Sequence, residues 1–120
     1  MSEDLTRFSI PQLESFLMKW INEAVEGGNA WAAAKAYYES LEDKKKPMLA
    51  KEMDKFQGSN NAKEAKALTT VDYDNFLITL ADGRTRFYKA QVAYDMAKLK
   101  IDALRTIISA RKAEVQNFRG

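Results

Sequence analysis

The hydrophobic pattern of the chain is dominated by one stretch that runs from Tyr73 to Phe118. Counted in alternating steps of three and four, fourteen positions fall on one line, and all but Gly83 and Arg111 are apolar or aromatic. This heptad spacing holds one face of a helix against a partner, whereas a strand would need a period of two. We call this line the first seam; its positions are Tyr73, Phe76, Leu80, Gly83, Phe87, Ala90, Tyr94, Ala97, Ile101, Leu104, Ile108, Arg111, Val115 and Phe118.

The pattern predicts a single helix from about residue 70 to 118. Asp82-Gly83 could instead form a turn between two helices, but the first seam stays in phase across it, which favours a continuous helix. At about 1.5 Å per residue the helix would be roughly 65–70 Å long. That length predicts an elongated hairpin or an assembly.

A second apolar line follows the same helix: Ile78, Val92, Met96, Leu99, Ala103, Ile107 and Ala110. A helix that is apolar on two faces is buried on two sides. Either the preceding helices cover both faces, or one face is an interface with another subunit or protein. The candidate interface residues are Ile78, Val92, Met96, Leu99 and Ile107.

The preceding residues predict shorter helices. After a flexible leader, residues 1–8, Ser9 and Gln12 form a capping signature for a helix that Gly27-Gly28 is expected to end. Asn29 then caps an alanine-rich second helix, with Trp20 and Trp31 in the core and Tyr37 at an interface edge or available for stacking. Pro47 predicts a kink or break near Lys46, with helix resuming at Met48.

The stretch 57–61 reads as the loop of the hairpin, followed by a short helix that Asn61 and Glu64 would cap. Thr69-Thr70, with Asp72 and Asp74 behind them, mark the start of the long helix. The predicted fold is therefore all-α: a single domain over residues 1–120, built as an elongated helical hairpin or bundle. Two or three shorter N-terminal helices would pack on one long C-terminal helix.

Composition argues against catalysis. The 120 residues include no cysteine and no histidine, so the chain lacks thiolates, the commonest general base and the commonest metal ligand. We therefore expect no enzyme activity, catalytic residue, metal, cofactor or small-molecule substrate. The first residues lack a signal-peptide layout, and no apolar run approaches the roughly 18 residues that a membrane span needs. We expect a cytoplasmic protein with no membrane contact.

Charge is unevenly distributed along the chain. Residues 83–120 contain nine Lys and Arg against three Asp and Glu, a net charge of +6, whereas residues 1–82 have a net charge of −4. The long helix has a basic stripe whose cations recur at intervals of seven or fourteen residues, and such a stripe can follow a phosphate backbone. Its candidate nucleic-acid-binding residues are Arg84, Lys98, Arg105, Lys112 and Arg119, and the triplet Lys44, Lys45 and Lys46 is added as the densest local charge. Alternatively, the triplet is a solvated helix end, and the stripe pairs with the acidic N-terminal half.

The run from Phe87 to Tyr94, continued through Arg105 to Lys112, resembles the closing helix of small all-α bacteriophage and prophage proteins, among them the recombination mediators of T-even phages. The resemblance covers about the last fifty residues. It implies an oligomer in the host cytoplasm that binds single-stranded DNA and helps to load a recombinase.

Two functions are thus predicted. The first is a phage-type accessory protein of DNA recombination or replication, a homo-oligomer that binds single-stranded DNA, or a recombination or replication protein, and uses the basic stripe. The second is an adaptor or inhibitor that binds a host protein through the second apolar line.

Overall fold

The protein is all-α, as predicted. The computed structural model describes residues 5–119, and of Thr6, Phe118 and Arg119 it describes the backbone only. A short 3-10 turn, Leu5–Arg7, precedes four helices: α1 (Ile10–Asp43), α2 (Lys45–Met53), α3 (Asn60–Ala67) and α4 (Val71–Arg119). No strand occurs among these residues. Three helices therefore come before one long C-terminal helix.

Helix α1 is one continuous helix, and the prediction that Gly27-Gly28 ends it was wrong. Both glycines lie inside Ile10–Asp43, so the two predicted helices are one. A Cβ atom on Gly28 would lie 3.1 Å from the ring atom Cε1 of Tyr94. A glycine is used here because the aromatic ring of α4 lies against the α1 backbone, and packing outweighs the low helix propensity of glycine.

The start of α1 has the predicted capping box. The backbone N–H of Ser9 donates to Oε1 of Gln12 over 2.8 Å, and the backbone N–H of Gln12 donates to Oγ of Ser9 over 3.3 Å. Leu5 and Phe8 pack against the core just before this cap. The predicted flexible leader is therefore too long at its C-terminal end, and residues 1–4 lie outside the described part of the chain.

The boundaries around the loop differ from the prediction by a few residues. Helix α1 ends at Asp43 and α2 begins at Lys45, because Pro47 fits the first turn of a helix, where its missing N–H needs no partner. The N-cap of α3 is Ser59, whose Oγ accepts the N–H of Ala62 over 3.2 Å. Asn61, the predicted cap, lies inside the first turn of α3, and so does Asn60 of the predicted loop.

Helix α4 runs without interruption through Asp82-Gly83, as predicted from the phase of the first seam. Thr70 caps it, since its Oγ1 accepts the backbone N–H of Tyr73 over 3.2 Å. From Tyr73 to Arg111 every first-seam position is buried or half-buried, and Val115 is exposed. The side chain of Phe118, the last position, lies outside the described residues.

The chain forms two compact units, and α1 and α4 contribute to both. The terminal unit comprises Met1–Ala30 and Gln91–Gly120. Its core centres on Leu13, Leu104 and Ile108. Packed against this centre are Leu5, Phe8, Phe16, Leu17, Trp20 and Ile107. The two helices are antiparallel here, since Glu14 meets Lys112 while Gly28 meets Tyr94.

The central unit comprises Trp31–Ala90. Its helices α1 and α4 are also antiparallel, with the Tyr38 ring stacked on Phe87 at 5.7 Å between centroids. Gly83 faces Leu41, whose Cδ1 would lie 3.0 Å from a Cβ atom at that position. This close approach explains why a glycine interrupts the apolar first seam.

Candidate interaction surfaces of helix α4

The described cations of the basic stripe all have acidic neighbours. At the two ends the neighbour belongs to α1: Nζ of Lys112 lies 3.3 Å from Oε2 of Glu14, and an Nη atom of Arg84 lies 3.6 Å from Oε1 of Glu42. These pairs flank the first seam in the way that charged pairs flank the seam of a coiled coil. The acidic N-terminal half thus pairs with part of the stripe, the alternative that the sequence left open.

The middle of the stripe pairs within α4 instead. Lys98 lies 3.5 Å from Asp95, and Arg105 lies 3.9 Å from Asp102, each three residues earlier on the same helix. The side chains of Lys98 and Arg105 are 53% and 58% exposed, so these pairs are weak and open to competition. The Arg119 side chain lies outside the described residues.

The lysine triplet is separate from the stripe. Lys44 is the N-cap of α2, and Lys45 and Lys46 follow in its first turn, all three exposed. Among the described residues, none of the three lies within ion-pair distance of an acidic side chain. The triplet belongs to the central unit, and Lys98, Arg105 and Lys112 belong to the terminal unit.

A row of apolar side chains in the terminal unit is exposed on α4. Val92, Met96 and Leu99 are 63%, 54% and 62% exposed, and the exposed Ala103 continues the row. We call these four residues the outer apolar face. Val92 and Leu99 are each two residues away from both neighbouring first-seam positions, which places them on the far side of the helix from α1. The preceding helices therefore leave this face uncovered.

The other two candidate interface residues lie elsewhere. Ile78 is 54% exposed, but it belongs to the central unit. Ile107 is half-buried and packs against the core of the terminal unit. The structure thus groups three of the five predicted interface residues on one face.

A shallow recess of about 180 Å³ borders the outer apolar face in the terminal unit. It is lined by Trp20, Glu23, Ala93, Met96, Ala97 and Lys100. Nζ of Lys100 lies 4.5 Å from the ring centroid of Trp20, a cation–π contact that keeps the ammonium group at the rim. Trp20 itself is half-buried and packs on the core, as predicted.

A polar cluster ties α1 to α4 in the central unit. The hydroxyl of Tyr38 donates to Oε1 of Glu42 over 2.7 Å and accepts from Nε of Arg84 over 3.1 Å. The hydrogen bond from Tyr38 lowers the pKa of Glu42 below its usual 4.5, assisted by the charges of Lys45 and Arg84. The pKa of Arg84 is raised, chiefly by the same tyrosine hydroxyl.

A second cluster joins α2 to the start of α4. Glu52 is 1% exposed, and both its carboxylate oxygens lie 2.9 Å from Nζ of Lys55, which also contacts Asp72 over 3.2 Å. The hydrogen bond to Glu52, and then the one to Asp72, raise the pKa of Lys55. Burying a carboxylate is tolerated only when it is paired, so this contact is structural.

Sequence reasoning did not identify either cluster. Spacing provided a partial signal, since Tyr38 and Glu42 are four apart and Glu52 and Lys55 are three apart, distances that bring side chains together on a helix. Their long-range partners, Arg84 and Asp72, could not be assigned without knowing how the helices pair.

Among residues 5–119, no group of three acidic side chains is placed to hold a metal ion. None of the helices in that range has both the length and the apolar character that crossing a membrane requires. Comparison with family models, with curated proteins and with solved structures gave no match. The interaction surfaces themselves therefore carry the functional argument.

Proposed function

We propose that this protein is a non-enzymatic interaction module that binds an apolar helical surface of a protein through the outer apolar face of α4. The observation that carries the proposal is the exposure of Val92, Met96 and Leu99, each more than half accessible on a helix whose opposite face is filled by α1. Large apolar side chains that recur at helical spacing and stay exposed are typical of helix-mediated binding sites.

The charge pattern supports the same proposal. Lys112 and Arg84 of the basic stripe pair with Glu14 and Glu42, so part of the positive charge is neutralised inside the fold. Among the described residues of its unit, by contrast, Val92, Met96 and Leu99 stay more than half exposed, and Met96 also lines the recess. Burying an apolar side chain on binding contributes about 1.5–3 kcal/mol, which makes three exposed ones a substantial source of affinity.

The test compares the wild-type chain with Leu99→Lys as immobilised baits in lysate of the cells that produce the protein. Wild type should retain a defined protein at high salt, and Leu99→Lys should lose it, because an ammonium group would have to be buried in the contact. Val25→Lys is the matched control, since Val25 is similarly exposed but lies on α1. Retention of the same proteins by wild type and Leu99→Lys would contradict the proposal.

Single-stranded nucleic acid is the second candidate ligand. It is favoured by the exposure of Lys98 and Arg105, whose only ion pairs in the described chain are weak ones within α4. Phosphates could replace Asp95 and Asp102 as their partners, with affinity from counterion release. The recombination-mediator role implied by the phage resemblance stays a prediction within this second candidate.

Fluorescence anisotropy with a labelled oligothymidylate tests this candidate at low and moderate salt. The double variant Lys98→Glu/Arg105→Glu should weaken binding and leave the circular dichroism spectrum unchanged. Lys19→Glu/Lys51→Glu is the matched control, because it removes the same charge at exposed positions outside both the basic stripe and the lysine triplet. Equal binding by wild type and Lys98→Glu/Arg105→Glu would exclude the stripe as the site.

A further inference from the structure

Resting on the proposed function, we infer that the occupant of the outer apolar face is a second copy of this chain. The two α4 helices would pack in parallel and in register over Val92, Met96, Leu99 and Ala103.

The outer apolar face has the geometry of a second coiled-coil seam. Its four residues follow one another at steps of four, three and four, the alternation that forms such a seam. Larger side chains occupy its first three positions, and the small Ala103 follows. The seam points away from α1, so a second α4 helix can approach in the terminal unit without displacing α1.

The flanking charges select the orientation of the second copy. Asp95 and Asp102 border the outer apolar face on one side, and Lys100 borders it on the other. In a parallel pair, a residue on one flank faces the residue five positions later on the opposite flank of the other helix. Asp95 of each copy would then face Lys100 of the second copy, giving two attractive contacts.

An antiparallel pair would place like charges together. When Val92 faces Ala103 of the second copy, the acidic flanks meet, and Asp95 faces Asp102 at both ends of the contact. Like-charge contacts at an interface are costly and suppress the wrong arrangement. Charge complementarity therefore favours the parallel dimer over the antiparallel one.

Within one chain, Asp95 and Lys100 make contacts that can be replaced by contacts with a second copy. Asp95 is paired over 3.5 Å with the exposed Lys98, and this is a weak surface contact. Nζ of Lys100 lies over the Trp20 ring at the rim of the recess, and the long side chain can turn its ammonium group from that ring to Asp95 of the second copy. Forming the dimer would therefore replace one surface ion pair and one cation–π contact between half-buried side chains in each chain.

The first experiment measures the mass of the full chain by light scattering after size exclusion. Wild type should have twice the mass of one chain, and Leu99→Lys should have the mass of one chain. A wild-type monomer would overturn the inference, as would a dimer that Leu99→Lys leaves intact. Partner capture by wild-type bait but not by Leu99→Lys would separately support the proposed function, even if the chain were monomeric.

Because the chain contains no cysteine, introduced thiols report the orientation directly. In the parallel dimer, Val92→Cys should form a disulfide between the two chains, since position 92 of one chain faces position 92 of the other. An antiparallel dimer would instead require a mixture of Val92→Cys and Ala103→Cys. Asn22→Cys, exposed on α1, is the control for random collision. Cross-linking only in the mixture would overturn the parallel arrangement.

A charge exchange tests the proposed pairs. Asp95→Lys alone and Lys100→Asp alone should each lose the dimer, because each would bring like charges together. Mixed with one another, the two variants should recover a heterodimer, since both contacts are then attractive again. Failure of the mixture to associate, while wild type is a dimer, would overturn the assignment of these pairs.

Discussion

At the residue scale, Gly27 and Gly28 are adjacent in α1 but have different surroundings. A Cβ atom on Gly27 would lie 3.9 Å from the Tyr94 ring, an ordinary contact, whereas one on Gly28 would lie 3.1 Å away. Gly27→Ala should therefore raise the free energy of unfolding by about 0.5–1 kcal/mol through helix propensity. Gly28→Ala should gain nothing or lose stability, because the ring must shift.

Urea unfolding of the two variants checks this prediction. In a Tyr94→Ala background both substitutions should become equally stabilising, since the ring is gone. A Gly28→Ala chain that is as stable as Gly27→Ala in the wild-type background would contradict the close packing of Tyr94 on α1.

Glu42 predicts a pH dependence of stability. Its pKa is lowered in the folded chain, mainly by the Tyr38 hydroxyl, so its contribution is present above the unfolded pKa of about 4.5. That contribution is lost as the pH falls through the lower folded pKa. The melting temperature of wild type should therefore fall more steeply below pH 4.5 than that of Glu42→Gln.

Tyr38→Phe provides the control for this dependence. It removes the largest cause of the shift while keeping the aromatic ring that stacks on Phe87. Its stability should fall less steeply with acid than that of wild type. Parallel acid profiles for all three chains would show that Glu42 does not contribute in this way.

At the element scale, the start of α3 distinguishes two neighbouring polar residues. Ser59 accepts the N–H of Ala62, and Asn61 lies within the first turn. Ser59→Ala should lower the free energy of unfolding by about 1 kcal/mol, the usual cost of losing an N-cap. Asn61→Ala should cost much less, since alanine has the higher helix propensity. Denaturant melts compare the two, and an equal loss would refute Ser59 as the cap.

Helices α4 and α1 show how far local sequence patterns could predict the fold. The heptad phase was sufficient to predict α4 through Asp82-Gly83, because burial on one face governs a long helix. It would also have predicted α1, since Ala24, Gly27 and Trp31 keep the same spacing. The two glycines instead predicted a helix end, because the Tyr94 ring that packs closely on Gly28 is distant in the sequence.

At the scale of the whole molecule, the two faces of α4 should respond differently to truncation. Leu104 is 0% exposed in the core of the terminal unit, so Leu104→Ala should cost about 2–5 kcal/mol of unfolding free energy. Leu99→Ala should change it by no more than about 0.5 kcal/mol when the chain is monomeric. Urea melts at high dilution make the comparison. A comparable loss at both positions would mean that the outer apolar face is covered within the chain.

The surfaces were only partly predictable for a physical reason. The spacing predicted the apolar row of Val92, Met96 and Leu99, but it left open whether the preceding helices cover that row, and Ile107 on the same line is half-buried. The engagement of Lys112 by Glu14, and of Arg84 by Glu42, depends on the antiparallel pairing of α1 with α4. That pairing brings together residues that are far apart in the sequence, so charge counting could identify the stripe but not its partners.

The two tryptophans lie in different units, so the fluorescence of each tryptophan reports on one unit alone. Trp20 belongs to the terminal unit, with Lys100 over its ring, and Trp31 belongs to the central unit, with Lys35 over its ring at 5.4 Å. Tryptophan emission from a Trp20→Phe chain would come only from the central unit, and that from a Trp31→Phe chain only from the terminal unit. The pair of variants would show whether the two units melt together or one after the other, with no dye attached.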